Sequence, residues 1–254
     1  MSNIKSVAII PARFASSRFP GKPLALLAGK PIIEHVYRRA AEAAGEVYVA
    51  TDDQRIASCV EAFGGKAIMT SSQHRSGTDR VEEAYGKIGR DFDVVVNVQG
   101  DEPFIRREQI EKLVTCFEYP DTQIATLVKP FAETDGIEAL LNPNSPKVTL
   151  SEDMKALYFS RSVIPFLRGV PQEQWLAGHT FYKHIGIYAF RPEVLRQITR
   201  LPQGRLEKAE SLEQLRWLEN GYSIRVAISN FETVGIDTPE DLERAQRFIE
   251  ENFN

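Results

Sequence analysis

The feature that most restricts what this 254-residue chain can fold into is an alternation through its first half. Short apolar runs take turns there with stretches of helical period. Ser6–Ile10 (SVAII), Glu46–Ala50 (EVYVA), Lys66–Met69 and Asp93–Val98 (DVVVNV) read as strands. Lys30–Gly45, Gln54–Phe63, Thr78–Ile88 and Glu108–Glu118 read as the helices between and after them. Pro31 is placed for the first turn of one helix, and Gly64-Gly65 for the end of the next. The valines of DVVVNV are consecutive rather than alternate, the pattern of a strand covered on both faces. Strand–helix alternation of this kind implies right-handed crossovers and a mostly parallel sheet between two helical layers, an α/β fold. Ligands of such sheets bind beyond the carboxyl ends of the strands. The loops to inspect therefore begin near Pro11, Thr51, Thr70 and Gln99.

The pattern loosens after about residue 130. Leu140–Pro146 is turn-rich, and Lys147–Leu150, Ala156–Phe159 and His184–Phe190 read as further strands. Arg168–Lys183 has no clear period and reads as an ordered irregular excursion or an interface. Leu206–Asn220 is expected as one helix and Ser223–Ile228 as a late strand. Thr238, Pro239 and Asp241 form a capping box that opens the last helix. The expectation is one domain over residues 1–254 with an embedded β-rich extension at about 147–190.

Composition removes several classes. With 43% hydrophobic and 26% charged residues the chain is neither disordered nor collagen-like. Its 31 basic and 35 acidic residues give a net charge of −4, which argues against general nucleic-acid or anionic-membrane binding. Cys59 and Cys116 are too few for a disulfide framework, and the spacing of His179 and His184 suits no zinc site. No segment approaches the roughly 20 apolar residues of a spanning helix, and the first apolar run is too short for a signal peptide. A reduced, cytoplasmic protein is expected.

Four loci carry chemistry. In PARFASSRFPGK, Arg13, Arg18 and Lys22 follow the first strand directly, with Pro20-Gly21 to turn the backbone, a set suited to gripping a polyphosphate, though without a Walker loop. A bare cluster of basic residues is more often solvated surface. In NVQGDEP, Asp101 and Glu102 emerge where a buried strand ends; with Asp237 of GIDTPEDL this suits Mg²⁺, and each also fits a turn or a helix start. The Ser76-Gly77-Thr78 turn of HRSGTDR offers backbone donors and hydroxyls, and reads equally as a helix start. Gln99, Arg161 in ALYFSR, His184 and Tyr188 in HIGIYAF, and Glu210 and Glu213 in AESLEQLR are scattered, and taken singly such residues are usually structural.

In that order RFASSRFPGK, HRSGTDR, NVQGDEP, ALYFSR, HIGIYAF, SLEQLR and GIDTPEDL resemble the 3-deoxy-manno-octulosonate cytidylyltransferase (CMP-Kdo synthetase) family, from about Ile4 to Phe248. The resemblance implies a nucleotide-diphospho-sugar-transferase-like three-layer sandwich with a β-rich dimerisation extension, a homodimer, and Mg²⁺-dependent transfer of CMP from CTP to Kdo. It also implies roles. Arg13, Arg18, Lys22, Ser76, Gly77 and Thr78 would bind the nucleotide, and Asp101 and Asp237 the metal. Gln99, Arg161, His184 and Glu213 would surround the sugar acid, and Asp101, Asp237, Lys22 and Arg13 would carry catalysis. The closest rivals are an enzyme for another sugar acid, such as the amino analogue of Kdo or a sialic acid, and a nucleotide sensor without chemistry.

Overall fold

The computed structural model describes residues 4–15, 18–232 and 235–253; Ser16 and Ser17 of the first loop lie outside them. Two compact units result, residues 1–114 with 233–254, and residues 115–232. The segment expected as an extension falls within the second.

In the first unit, β1 (Ser6–Ala12), β2 (Glu46–Thr51), β3 (Ala67–Met69) and β4 (Val94–Asn97) are all parallel. Their spatial order is β3–β2–β1–β4. The chain steps outward from β1 to β3, then returns to the other flank of β1 for β4. Helices α1 (Ile32–Ala41), α2 (Gln54–Ala62), α3 (Gly77–Ile88) and α4 (Arg107–Thr115) occupy the expected places. Pro31 stands one residue earlier than expected, at the cap of α1 rather than in its first turn. The consecutive apolar residues are explained by burial: Val7–Ile10 and Val94–Val96 are wholly inaccessible. Because the order reverses between β1 and β4, the loops leaving these two strands diverge and open a crevice. The closing helix, Pro239–Phe253, starts with the reciprocal box: Thr238 N–H donates to Asp241 at 2.9 Å, and Asp241 N–H to Thr238 Oγ1 at 3.2 Å.

The second unit is built on β5 (Ile124–Pro130), with β6 (Lys147–Leu150), β7 (Ala156–Ser160), β8 (Tyr182–Phe190) and β9 (Ile224–Ile228). β9 pairs with β5 in parallel and β8 pairs with it antiparallel; β6 bridges β8 and β7. β5 is not among the strands expected from the sequence, although its Ile124, Ala125, Leu127 and Val128 are wholly buried. The irregular stretch after Arg168 is ordered by packing: Trp175 and Phe181 form a cluster with Leu140, and Trp175 Nε1 donates to the Val170 carbonyl at 3.0 Å. Among the described residues no helix is long and apolar enough to cross a membrane.

One expectation is corrected. Leu206–Asn220 is two short helices, Arg205–Glu210 and Gln214–Glu219, separated at Ser211, whose φ is 51°. The reason is a buried ion pair. Arg216 donates through Nε and Nη2 to the two oxygens of Glu207, both at 2.8 Å. Nine residues apart, these side chains would face opposite ways on a continuous helix at about 100° per residue. The break brings them together. We expect Glu207→Ala to destabilise the fold by about 3–5 kcal/mol, because it removes the two-pronged partner of the buried Arg216 charge and leaves the weaker contact with Glu213. Urea unfolding checks this, and a loss under about 1 kcal/mol would show that the pair does not hold the break.

Candidate active site

The crevice between β1 and β4 is a cleft of about 320 Å³ lined by the loops after β1, β3 and β4 and by Asp237. Close packing on Pro11 sets its floor. A Cβ on Gly100 would stand 2.7 Å from the Pro11 carbonyl oxygen, and one on Gly77 would stand 3.2 Å from Pro11 Cγ. Both glycines therefore let a loop approach the end of β1. Ile236, wholly buried, donates its N–H to the Asp101 carbonyl at 2.9 Å, which carries Asp237 to the side of Asp101.

Of the expected nucleotide and metal residues, Arg13, Arg18, Lys22, Ser76, Gly77, Asp101 and Asp237 all line this cleft. Lys22 joins the two carboxylates: its Nζ donates to Asp101 Oδ2 at 2.6 Å and to Asp237 Oδ1 at 3.1 Å. Arg18 pairs with the other oxygen of Asp237 at 3.0 Å. Lys22 opens a single 3₁₀ turn behind Gly21, whose φ of 73° explains the Pro-Gly signal in the sequence. Ser76 caps α3, accepting from Asp79 N–H at 3.1 Å, so its hydroxyl serves the helix. Thr78 is buried and does not line the cleft.

Three ionisable lining residues, His74, Arg75 and Arg80, belong to the HRSGTDR motif but carry no role in the sequence expectation. Arg80 is buried, donating to Thr70 Oγ1 at 2.6 Å and to Asp52 at 3.2 Å. Its partners follow β2 and β3, so the loops marked near Thr51 and Thr70 contained the signal. His74 is held by Glu83. Partial burial opposes ionisation of Glu83, but bonds from Lys87, the Ser71 N–H and His74 bring its pKa down to about 2. With Arg13, Arg18 and Lys22, the cleft carries five arginine and lysine side chains against two carboxylates.

The expected sugar residues divide. Gln99 lines the cleft of the first unit, whereas Arg161, His184 and Glu213 belong to the second. Arg161 donates to the carbonyls of Glu210 (2.6 Å), Pro143 (2.9 Å) and Ser211 (3.3 Å). Its backbone N–H donates to the Glu210 carboxylate at 2.9 Å. Glu213 accepts from Arg216 at 3.3 Å. His184 packs against the rings of Phe159 and Tyr188, and burial pushes its pKa down to about 3. The Thr126 hydroxyl donates to the Ile187 carbonyl at 2.8 Å, so at the 2.9 Å contact with His184 it accepts. That assigns the imidazole proton to Nε2.

Comparison with known proteins adds to this geometry. A family model described as cytidylyltransferase matches residues 7–228. The chain is 64% identical to a 3-deoxy-manno-octulosonate cytidylyltransferase of Phocaeicola vulgatus over 248 residues, 98% of either chain. It is 61% identical to one of Parabacteroides distasonis over 247 residues, 97% of this chain and 98% of that one. A solved structure of CMP:2-keto-3-deoxy-manno-octonic acid synthetase complexed with CTP matches with a TM-score of 0.89 at 43% identity, covering 98% of this chain and 100% of the other.

His184 supplies a prediction. Folded, it stays neutral down to about pH 3; unfolded, it titrates at its ordinary value of 6.5. Between these values the unfolded chain holds the extra proton, so His184's contribution is complete above about 6.5 and is lost as pH falls toward 3. His184→Gln should therefore lose less stability between pH 7 and pH 4 than wild type, measured by urea unfolding at each pH. An unchanged pH dependence would place the acid sensitivity elsewhere.

Proposed function

The chain belongs to the cytidylyltransferase family, and from that premise we propose that it transfers CMP from CTP to the anomeric hydroxyl of Kdo, giving CMP-Kdo and pyrophosphate for lipopolysaccharide synthesis. The observation that carries this reading is the cationic cleft at the switch point of the parallel sheet, with two carboxylates facing one ammonium. A triphosphate suits the arginines and the lysine, and the N-terminus of α3 adds backbone N–H groups and the positive end of its dipole. Arg13, Arg18 and Lys22 would hold the phosphates, and Ser76 and Gly77 would approach the nucleotide through the backbone. Gln99 is proposed as the sugar-acid contact offered by the first unit's cleft, and Arg161, His184 and Glu213 as those offered by the second unit. Arg161 would use donors beyond those given to its three carbonyls.

The residues fit Mg²⁺. Asp101 and Asp237 already converge on a single cationic atom, Lys22 Nζ. Among the described residues there is no group of three or more His, Cys, Asp or Glu able to hold a metal. Two carboxylates are the complement of a hard cation that completes its shell with substrate phosphates and water. When bound, Mg²⁺ would lower the pKa of the attacking hydroxyl and offset phosphate charge. The chain's own residues do the rest. The Arg13 and Lys22 charges would stabilise the negative charge that develops as pyrophosphate leaves, and before the substrates arrive the Lys22 link keeps Asp101 and Asp237 at one point. His184, neutral and donating from Nε2, is held as a hydrogen-bonding group and not as a cation. A homodimer formed through the β-rich second unit and a cytoplasmic location complete the proposal.

The test is pyrophosphate release on mixing protein, CTP and Mg²⁺ with Kdo, its amino analogue or a sialic acid. Turnover should be fastest with Kdo; preference for another acid would move the assignment to a related enzyme, and no release with any would leave a binder. Asp101→Asn and Asp237→Asn should each cut turnover by about 100-fold or more, the scale of transition-state electrostatics, without lowering the melting temperature. Near wild-type rates would remove that residue from the metal site. Lys22→Ala should weaken CTP binding more than Kdo binding in separate titrations, and the reverse would reassign the loop.

A further inference from the structure

The loop between β1 and the Lys22 turn is closed at its base by one backbone bond, Gly21 N–H to the Phe14 carbonyl at 2.9 Å. Arg13 immediately precedes one end of this closure and Lys22 immediately follows the other. The positions of both cations therefore depend on how firmly Phe14 and Gly21 are held.

A feature outside the cleft holds them. The Phe14 ring lies against Gly21, where a Cβ would stand 3.1 Å from two ring carbons. Over the same ring, 3.4 Å from its centroid, lies the guanidinium of Arg55, the second residue of α2. That guanidinium is itself fixed. Nε donates to Asp53 Oδ1 at 2.9 Å and Nη2 to Oδ2 at 2.6 Å, a two-pronged grip. Asp53 Oδ1 also accepts the Arg55 N–H at 2.9 Å, capping α2. The result is a planar cation bolted to the start of a helix, with the loop's aromatic residue stacked on it. A planar guanidinium stacks and forks at once, which an ammonium cannot do. Arg55 does not line the cleft and is largely exposed, with 61% of its side chain accessible.

We propose that Arg55, held flat by Asp53 and stacked on Phe14, is a positioning residue for the phosphate loop, fixing Arg13 and Lys22 for CTP without touching it. The inference rests on the CTP reading above. Without Arg55 the loop keeps its cations and samples more arrangements, so CTP pays the ordering cost on binding. The chemistry of the ordered complex and the sugar side are unchanged.

The experiment compares Arg55→Ala, Phe14→Leu, their double variant and Phe14→Tyr with wild type, measuring kcat, the KM for CTP and for Kdo, and the melting temperature. Arg55→Ala should raise the CTP KM about three- to tenfold, the size of an exposed to partly desolvated cation–π contact. The kcat, Kdo KM and melting temperature should stay close to wild type. Adding Arg55→Ala to Phe14→Leu should cost nothing more, and Phe14→Tyr, which keeps an aromatic face, should behave as wild type. An unchanged CTP KM in Arg55→Ala would overturn the proposal. So would multiplicative effects in the double variant, or an equal loss for CTP and Kdo with earlier melting. If wild type itself releases no pyrophosphate from CTP and Kdo, the function falls and the inference with it; an active wild type matched by Arg55→Ala overturns the inference alone.

Discussion

Lys22 donates to Asp101 and to Asp237, partners 79 and 215 positions away in the chain, and through them three loops meet at one point. No local propensity produces such a meeting. It needs β1 and β4 side by side with their carboxyl ends together, Gly100 small enough to lie against Pro11, and the Ile236 N–H bonded to the Asp101 carbonyl. The charges explain why the arrangement holds when formed: two carboxylates close together repel, and an ammonium 2.6 and 3.1 Å away offsets that repulsion. A site that gathers anions around a cation in this way is suited to exchange of partners when a polyphosphate and a divalent ion arrive.

Much of the first unit was legible because its determinants are local. Consecutive valines announced a strand buried on both faces, and Pro20-Gly21 announced the turn that sets Lys22. Strand–helix alternation then directed attention to the right ends of the right strands, where the cleft lies. The less legible residues are those whose role depends on distant partners. Arg80 sits within a motif that was quoted, yet its place in the wall follows from Asp52 and Thr70 on two other loops. Thr78 went the other way, since helix α3 turns it into the core.

In the second unit local signals compete with longer-range ones. The apolar side of Leu206–Asn220 has helical period, and propensity alone favours one helix. The Glu207–Arg216 pair wins, because separating two buried charges that bond through two prongs costs more than one αL residue at Ser211. β5 is hard to read for a different reason: its four apolar residues, Ile124, Ala125, Leu127 and Val128, are interrupted by Thr126. Periodicity cannot separate so short a run from buried helix, even between Pro120-Asp121 and Pro130. Arg161 illustrates the limit for function. Its motif supports a ligand for a carboxylate, while three backbone carbonyls already occupy it as a brace.

The central claim is that Asp101 and Asp237 form the seat at which a divalent ion joins CTP to the cationic cleft. The most direct measurement is calorimetric titration of CTP into wild type and into the Asp101→Asn/Asp237→Asn double variant, each with Mg²⁺ and with a chelator. The account predicts that Mg²⁺ strengthens CTP binding in wild type and makes little difference in the double variant. An Mg²⁺ dependence that survives loss of both carboxylates would contradict it.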